Sequence, residues 1–344
     1  MSALSDPTAN ATKSSGLKAT QHALRELPHT ADLFYDLKKI GKGTFGMVFE
    51  ARTKGEHLQN IPKDTIIAYK KIRLPSSWTE TSAEVNALRA RQHDHVLPVL
   101  DAFVQPDISQ QRNLYILTPL ASGGNMENWM MSKETPNMPP KLDDPVFRRS
   151  FLLKSITSIA EAVAYCHSEI DGTWCGHYDI KPKNIFLFQG SAERWLWKLG
   201  DFGLSTIKAD RDIGTIDEVG TSEYHPPEYY GNPKSHQYGP SFDVFSTGCV
   251  VLQLATLLVL PWEHSMIKAL KSELSQTPKP FAFRDSGVNW SDRVSSRTRD
   301  EEVHLLLETT LQMMNPDTKH RLLAFDAALD LIRDCDTPDG HVDL

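Results

Sequence analysis

From residue 34 to residue 120 the apolar positions come in short alternating runs broken by glycine and proline, the signature of strands with one face buried. Residues 34–49, FYDLKKIGKGTFGMVF, read as a strand running into a glycine turn and a second strand beginning at Met47. Residues 66–72, IIAYKKI, predict a third strand whose two-residue period puts Ala68, Lys70 and Ile72 on one face and Tyr69 and Lys71 on the other. Residues 82–92 carry Val85 and Leu88 among good helix formers and predict a helix. Two further strand-like runs follow, HVLPVLDAFV at 95–104 and NLYILTPL at 113–120.

After Gly123-Gly124 and a proline-rich connection through Pro145 the period changes to helical, starting with residues 147–169. A short strand pair is expected at 184–188 and 195–200, then a loop to Tyr230, then helices near 302–314 and 323–333. The most apolar stretch, residues 248–262, is interrupted by Gln253 and Thr256 and followed by Glu263, which favours a buried core helix over a membrane span. No internal repeat is visible. The pattern implies an α+β chain of two lobes, a small β-rich one and a larger, mainly helical one.

Composition narrows this picture. A chain of 344 residues, 40% of them hydrophobic, can bury a sizeable core. Its formal net charge of -7 argues against a nucleic-acid partner, which calls for concentrated basic surface. Cys166, Cys175, Cys249 and Cys335 show no paired spacing, so neither a disulfide framework nor a zinc site is suggested, and a reducing, intracellular location is expected, in cytoplasm or nucleus. Residues 1–30 begin with a small, polar run without a signal-peptide pattern and are expected to be a disordered tail; residues 334–344 are expected to be a short second tail.

The chemistry begins at the glycine turn. Gly41, Lys42, Gly43 and Gly46 form a G-x-G-x-x-G pattern whose backbone N–H groups can approach phosphate oxygens closely. Here the pattern is followed by a strand, not by the helix of a dinucleotide fold, so it reads as a hairpin cover. Lys70 and Glu84 are placed to form an ion pair that aims an ammonium at phosphates, with Glu80 as a rival for Glu84; each alone would be an ordinary solvated charge.

The run His177-Tyr178-Asp179-Ile180-Lys181-Pro182-Lys183-Asn184, with Asp201-Phe202-Gly203 after it, resembles the protein kinase family, whose catalytic loop carries an Asn five positions after its Asp. The resemblance covers residues 34–333, divided into an N-lobe at 34–118, a hinge at 119–121 and a C-lobe at 122–333. It implies phosphoryl transfer from ATP to a protein hydroxyl with Mg2+, for which Mn2+ can substitute. Asp179 would accept the hydroxyl proton, Lys181 would neutralise the moving phosphoryl group, and Asn184 and Asp201 would hold the metal. Lys181 and Thr221 would both reach Asp179, which points to the serine/threonine branch. Adenine would sit at the hinge on the backbone of Pro119 and Ala121, behind Thr118 as gatekeeper, between Val48 and Ala68 on one side and Phe186 on the other, with Asn125 near the ribose. Thr118 is small enough to leave a rear pocket open.

Structural supports follow from the same resemblance. His177 and Phe202 would belong to a packed column, Asp243 would accept from catalytic-loop backbone, and Arg321 would pair with Glu228, with Lys319 as the competing cation. The chain departs from the family at Tyr178, where many members carry an arginine that binds a phosphate on the activation segment; a tyrosine offers no such countercharge, although Thr206, Thr215 and Thr221 lie in that segment. Pro226 and the insertion at 54–64 are lesser departures. The alternative reading is a kinase-shaped, ATP-binding scaffold without turnover, which the presence of Lys70, Asp179 and Asp201 disfavours.

Overall fold

The computed structural model describes residues 24–27, 30–43, 46–55, 57–58, 60–74, 85, 89, 91–107, 109–131, 144–170, 173–190, 195–202, 206–208, 221–230, 239–260, 267–270, 272 and 287–335. The smaller lobe is one six-stranded sheet. Its strands are β1 (Arg25–Glu26), β2 (Phe34–Gly43), β3 (Gly46–Thr53), β4 (Ile66–Arg73), β5 (Asp101–Pro106) and β6 (Arg112–Pro119), in the order β1-β5-β6-β4-β3-β2, with the short α1 (Thr30–Leu33) between β1 and β2. β1 runs parallel to β5, and the other pairs are antiparallel.

The predicted alternation on β4 sorts the sheet's two faces. Ile67 and Tyr69 are buried in an aromatic-rich cluster with Phe34, Phe103 and Tyr115, while Ala68, Lys70 and Ile72 turn toward the cleft between the lobes. Ala68 stands opposite Thr118 on β6 and Glu50 on β3, so the register puts a small residue beside the hinge.

Three expectations are corrected. The run 95–104 is a strand only from Asp101, because Leu97 donates to Leu199 O and Leu199 donates to His95 O, both at 2.8 Å, which draws that stretch away from the sheet to the larger lobe. Of the expected helix at 82–92, Val85 and Arg89 are helical, Arg91 and Gln92 are not, and Glu84 lies outside the described residues. The expected disordered tail does not extend to residue 30, since β1 joins the sheet and Leu24 is buried; residues 1–23 lie outside the described residues.

The larger lobe contains α2 (Met126–Met131), α3 (Pro145–His167), α4 (Pro240–Val259), α5 (Gly287–Ser295), α6 (Glu301–Met313) and α7 (Ala324–Cys335). α3 starts at Pro145 because Asp144 caps it, accepting from Val146 N at 2.9 Å and Phe147 N at 3.4 Å, and a proline at the first position needs no donor. α4 is long and apolar enough to cross a membrane, yet 89% of its apolar window is buried inside the lobe, packed by α3 and α6. Two small antiparallel pairs complete the lobe: β7 (Trp174–Gly176) with β10 (Thr206–Lys208), and β8 (Ile185–Gln189) with β9 (Trp195–Leu199).

Candidate active site

A cleft of about 410 Å3 opens between the lobes, and it gathers eleven of the residues singled out from the sequence: Gly41, Val48, Ala68, Lys70, Thr118, Pro119, Ala121, Asn125, Phe186, Asp201 and Phe202. Val48 pairs with Lys70 and Gly41 with Val48, so the hairpin and β4 form its roof. Its floor is β8, pinned by Gly123 N donating to Leu187 O and Leu187 N donating to Gly124 O, both at 2.9 Å.

The glycines of the hairpin do not share one role. Gly41 lines the cleft, but a Cβ on Gly46 would lie 2.1 Å from the Lys71 carbonyl oxygen, so Gly46 is required by the close approach of β3 to β4. Lys42 and Gly43 sit at the hairpin end, paired with Met47 and Gly46, and are not among the lining residues. Asn125 does more than face the cleft: its Oδ1 accepts from Asn128 N at 2.9 Å and caps α2. Asn128 itself lines the cleft, as do Ile40 and Leu120. Leu120 falls within the expected hinge at 119–121, whereas sequence reasoning missed Ile40 and Asn128, although each sits within three residues of one it chose.

Below the cleft, the catalytic-loop residues form one polar network. Lys181 Nζ lies 2.9 and 2.7 Å from the two carboxylate oxygens of Asp179 and donates to Thr221 Oγ1 at 2.6 Å. Thr221 Oγ1 donates to Asp179 Oδ1 at 3.1 Å, and Asn184 Nδ2 donates to Asp179 O at 2.8 Å and Oδ2 at 3.0 Å. Lys70 Nζ forms an ion pair with Asp201 Oδ1. The three groups around Asp179 are Lys181 and Asn184, two and five positions along the same loop, and Thr221, forty-two positions along the chain.

The loop is held from behind by Asp243, a fully buried carboxylate near the start of α4. Its oxygens accept from His177 N and Tyr178 N, each at 2.7 Å, and from His167 Nε2 at 2.9 Å. Three donors on one buried carboxylate meet its need for compensation. His167 had not been singled out, and nothing local in the sequence marks it. His177 Nε2 bonds Gly200 O at 3.0 Å, and its ring lies 4.7 Å from that of Phe202. Tyr178 and Asp201 both take left-handed backbone, with φ of 59° and 61°, a conformation that costs a side-chain-bearing residue about 1–2 kcal/mol and recurs at functional turns.

The buttress at the far end is also formed. Arg321 Nη1 and Nη2 lie 2.6 and 2.9 Å from the two oxygens of Glu228, while Nε and Nη1 donate to Asn315 O and Ser241 O at 2.9 Å. The planar fork of Arg321 meets Glu228 two-handed, which the Lys319 ammonium has no geometry to do.

The oxygen donors beside the cleft fit a divalent cation. Asp201 presents a carboxylate to the cleft, and the Asn184 side chain donates through its nitrogen, leaving its carbonyl oxygen as an acceptor. Two hard oxygens beside an open cleft suit an ion that keeps several ligands for water and phosphate. Among the described residues no group of three or more His, Cys, Asp or Glu forms a self-sufficient cage.

The protein kinase domain family matches residues 34–330. Among curated proteins, "Probable serine/threonine-protein kinase nek2" of Dictyostelium discoideum is 30% identical over 226 residues, 66% of this chain and 49% of that protein. "Probable serine/threonine-protein kinase nek3" of the same organism is 28% identical over 226 residues, 66% of this chain and 18% of that protein. "Serine/threonine-protein kinase Nek2" of Homo sapiens is 28% identical over 238 residues, 67% of this chain and 48% of that protein. The chain thus spans about half the length of two of these relatives and much less of the third.

Proposed function

We propose, because the chain belongs to the protein kinase domain family, that it transfers the γ-phosphoryl group of ATP to a serine or threonine hydroxyl of a protein. The observation that carries this reading is the closed network on Asp179, in which Lys181, Thr221 and Asn184 fix one carboxylate in one orientation. Phosphoryl transfer asks little covalent chemistry of a protein and much positioning, and a carboxylate held by three donors is positioned before the substrate arrives.

In this account adenine lies between Val48 and Ala68 above and Phe186 below, with the Pro119 carbonyl and the Ala121 N–H as its hydrogen-bonding groups. Lys70 holds the α- and β-phosphates. The acceptor hydroxyl binds at a remaining lone pair of Asp179, which takes its proton as the oxygen bonds to phosphorus and the bond to the ADP oxygen breaks. Lys181, already in contact with Asp179 and Thr221, keeps a positive charge beside the transferred group. Asn184 and Asp201 would hold Mg2+, or Mn2+ in its place, which when bound neutralises charge on the phosphate oxygens.

The Lys181–Thr221 contact supports the serine/threonine assignment. Four cysteine thiols, three of them buried, support an intracellular location, in cytoplasm or nucleus. The reading is tested by incubating the full chain with labelled ATP, Mg2+ and a generic protein, then identifying the labelled amino acid. Phosphoserine or phosphothreonine is expected; phosphotyrosine as the main product would overturn the acceptor class.

A further inference from the structure

Arg25–Glu26 lies ahead of the family match, yet it is built into the sheet. Arg25 pairs with Phe103 and Glu26 with Val104, and Leu27 N donates to Val104 O at 3.3 Å. Leu24 enters a small apolar cluster with Val85, Leu74 and Val104. Arg25 Nη2 meets Asp101 Oδ2 at 2.6 Å, while Arg89 Nη2 meets the other oxygen of the same carboxylate at 2.6 Å and Ala102 O at 3.1 Å. The Asp101 side chain is 0% exposed. A second guanidinium nitrogen of Arg25 donates to His57 O at 3.1 Å, in the connection between β3 and β4.

Two contacts of different chemistry therefore join the same segment to the same pair of residues. Leu24 shares one apolar cluster with Val85, and Arg25 is linked through Asp101 to Arg89. Val85 and Arg89 are both helical and stand four positions apart, so they share one helix face. A carboxylate out of water needs its partners, and here one partner comes from β1 and the other from the helix, so Asp101 fastens the two together. Glu84, the residue expected to pair with Lys70, precedes Val85 in the sequence.

We propose that residues 24–27 are a strap that fixes the helical segment of Val85 and Arg89 against the sheet, with Arg25 as a positioning residue for phosphoryl transfer. The inference rests on the kinase reading for its effect on catalysis, and on the Leu24 and Arg25 contacts alone for its effect on the helix. No strap residue touches the cleft, so its loss acts on the placement of Val85 and Arg89 and not on adenine binding.

The test uses the full chain and two readouts: steady-state kinetics with ATP, and hydrogen exchange of the backbone over residues 85–91. Arg25→Glu sets a second carboxylate against Asp101. It is expected to lower kcat about tenfold while KM for ATP moves by less than about threefold, and to speed exchange over 85–91 by about tenfold or more. Arg25→Lys is expected to recover most of kcat, and Lys38→Glu on the exposed face of β2 to leave both readouts at wild-type values. Should Arg25→Glu loosen the whole protein, Leu24→Ala gives the same pattern at smaller size. Wild-type exchange over 85–91 in both variants would overturn the strap, and faster exchange with unchanged kcat would overturn the positioning role. If the wild type transfers no phosphate the kinase reading fails, and exchange decides the strap alone: faster exchange in the variants supports it, unchanged exchange removes it.

Discussion

Tyr178 and Asp179 are neighbours in the chain and face opposite environments. Asp179 looks forward into a polar network, where its side chain keeps 12% exposure and meets Lys181, Asn184 and Thr221 through hydrogen bonds and charge. Tyr178 looks backward and is 1% exposed, in an aromatic box with Trp174, Phe242 and Tyr229. Its ring stands edge-on to Phe242 at 5.8 Å and covers Gly176, where a Cβ would lie 2.5 Å from the ring. Asp243 joins the two faces by holding the backbone N–H groups of His177 and Tyr178.

The contrast bears on control. The front of the loop supplies the charge that the proposed transfer would require. The back uses apolar packing at the position where many members of the protein kinase family carry an arginine that answers to a phosphate. Packing responds to no such signal, so the loop should hold its shape without a phosphate on the activation segment.

Breaking the link between the faces should cost most. Asp243→Ala leaves two buried backbone donors and His167 unpaired, and is expected to destabilise the protein by about 5 kcal/mol and to abolish transfer, as read by denaturant unfolding and kinetics. Breaking the back alone comes next. Tyr178→Ala should cost about 3–4 kcal/mol for the aromatic cavity, and Tyr178→Arg should cost as much, since it buries a charge among rings. If Tyr178→Arg were as stable as the wild type, the box would not be what fixes the loop. The same account predicts that phosphatase-treated wild type keeps its activity; an inert dephosphorylated protein restored by phosphorylation would contradict it.

Gly176→Ala sharpens the comparison by pushing on the ring from below. A cost of about 2 kcal/mol is expected from overpacking, and it should shrink when combined with Tyr178→Leu, because the two changes share one space. The smallest effect concerns His93 and His95, on the stretch ahead of β5 that packs on the larger lobe. Burial above all holds His93 and His95 below the ordinary histidine value of 6.5; His95 Nδ1 lies 3.0 Å from Trp197 O, and its Nε2 lies 3.6 Å from Glu161. A histidine depressed in the folded state is more readily protonated when unfolded, so its contribution is complete above 6.5 and is lost as pH falls below it. The melting temperature should therefore drop between about pH 7 and pH 5, and less steeply in His93→Gln.

Most of the front face was legible in the sequence because three of its members stand at fixed short spacings on one loop that resembles the family's motif; Thr221, forty-two positions on, came from the same resemblance. Asp179, Lys181 and Asn184 announce themselves together, and β2, β3, β4 and β6 follow from alternation within each strand. The back face was not legible, because Trp174, Tyr178, Tyr229 and Phe242 come from four separate elements and no local period links them. β1 was missed for a related reason: two residues pairing with a strand more than seventy positions away leave no pattern of their own. α5 was missed as well; its apolar face is short and follows a stretch without clear period. The left-handed backbone at Tyr178 and Asp201 has no sequence signal either, since neither is a glycine.

The central claim is that the network on Asp179 does chemistry. Its most direct test compares the wild type with Asp179→Asn, measuring phosphate transfer from labelled ATP with Mg2+ onto a generic protein and onto itself. The account predicts transfer by the wild type and a loss of about a thousandfold or more in the variant, with ATP raising the melting temperature of both alike. Equal transfer by the two proteins would contradict it, and so would transfer by neither while ATP still stabilises both, which would leave an ATP-binding scaffold in its place.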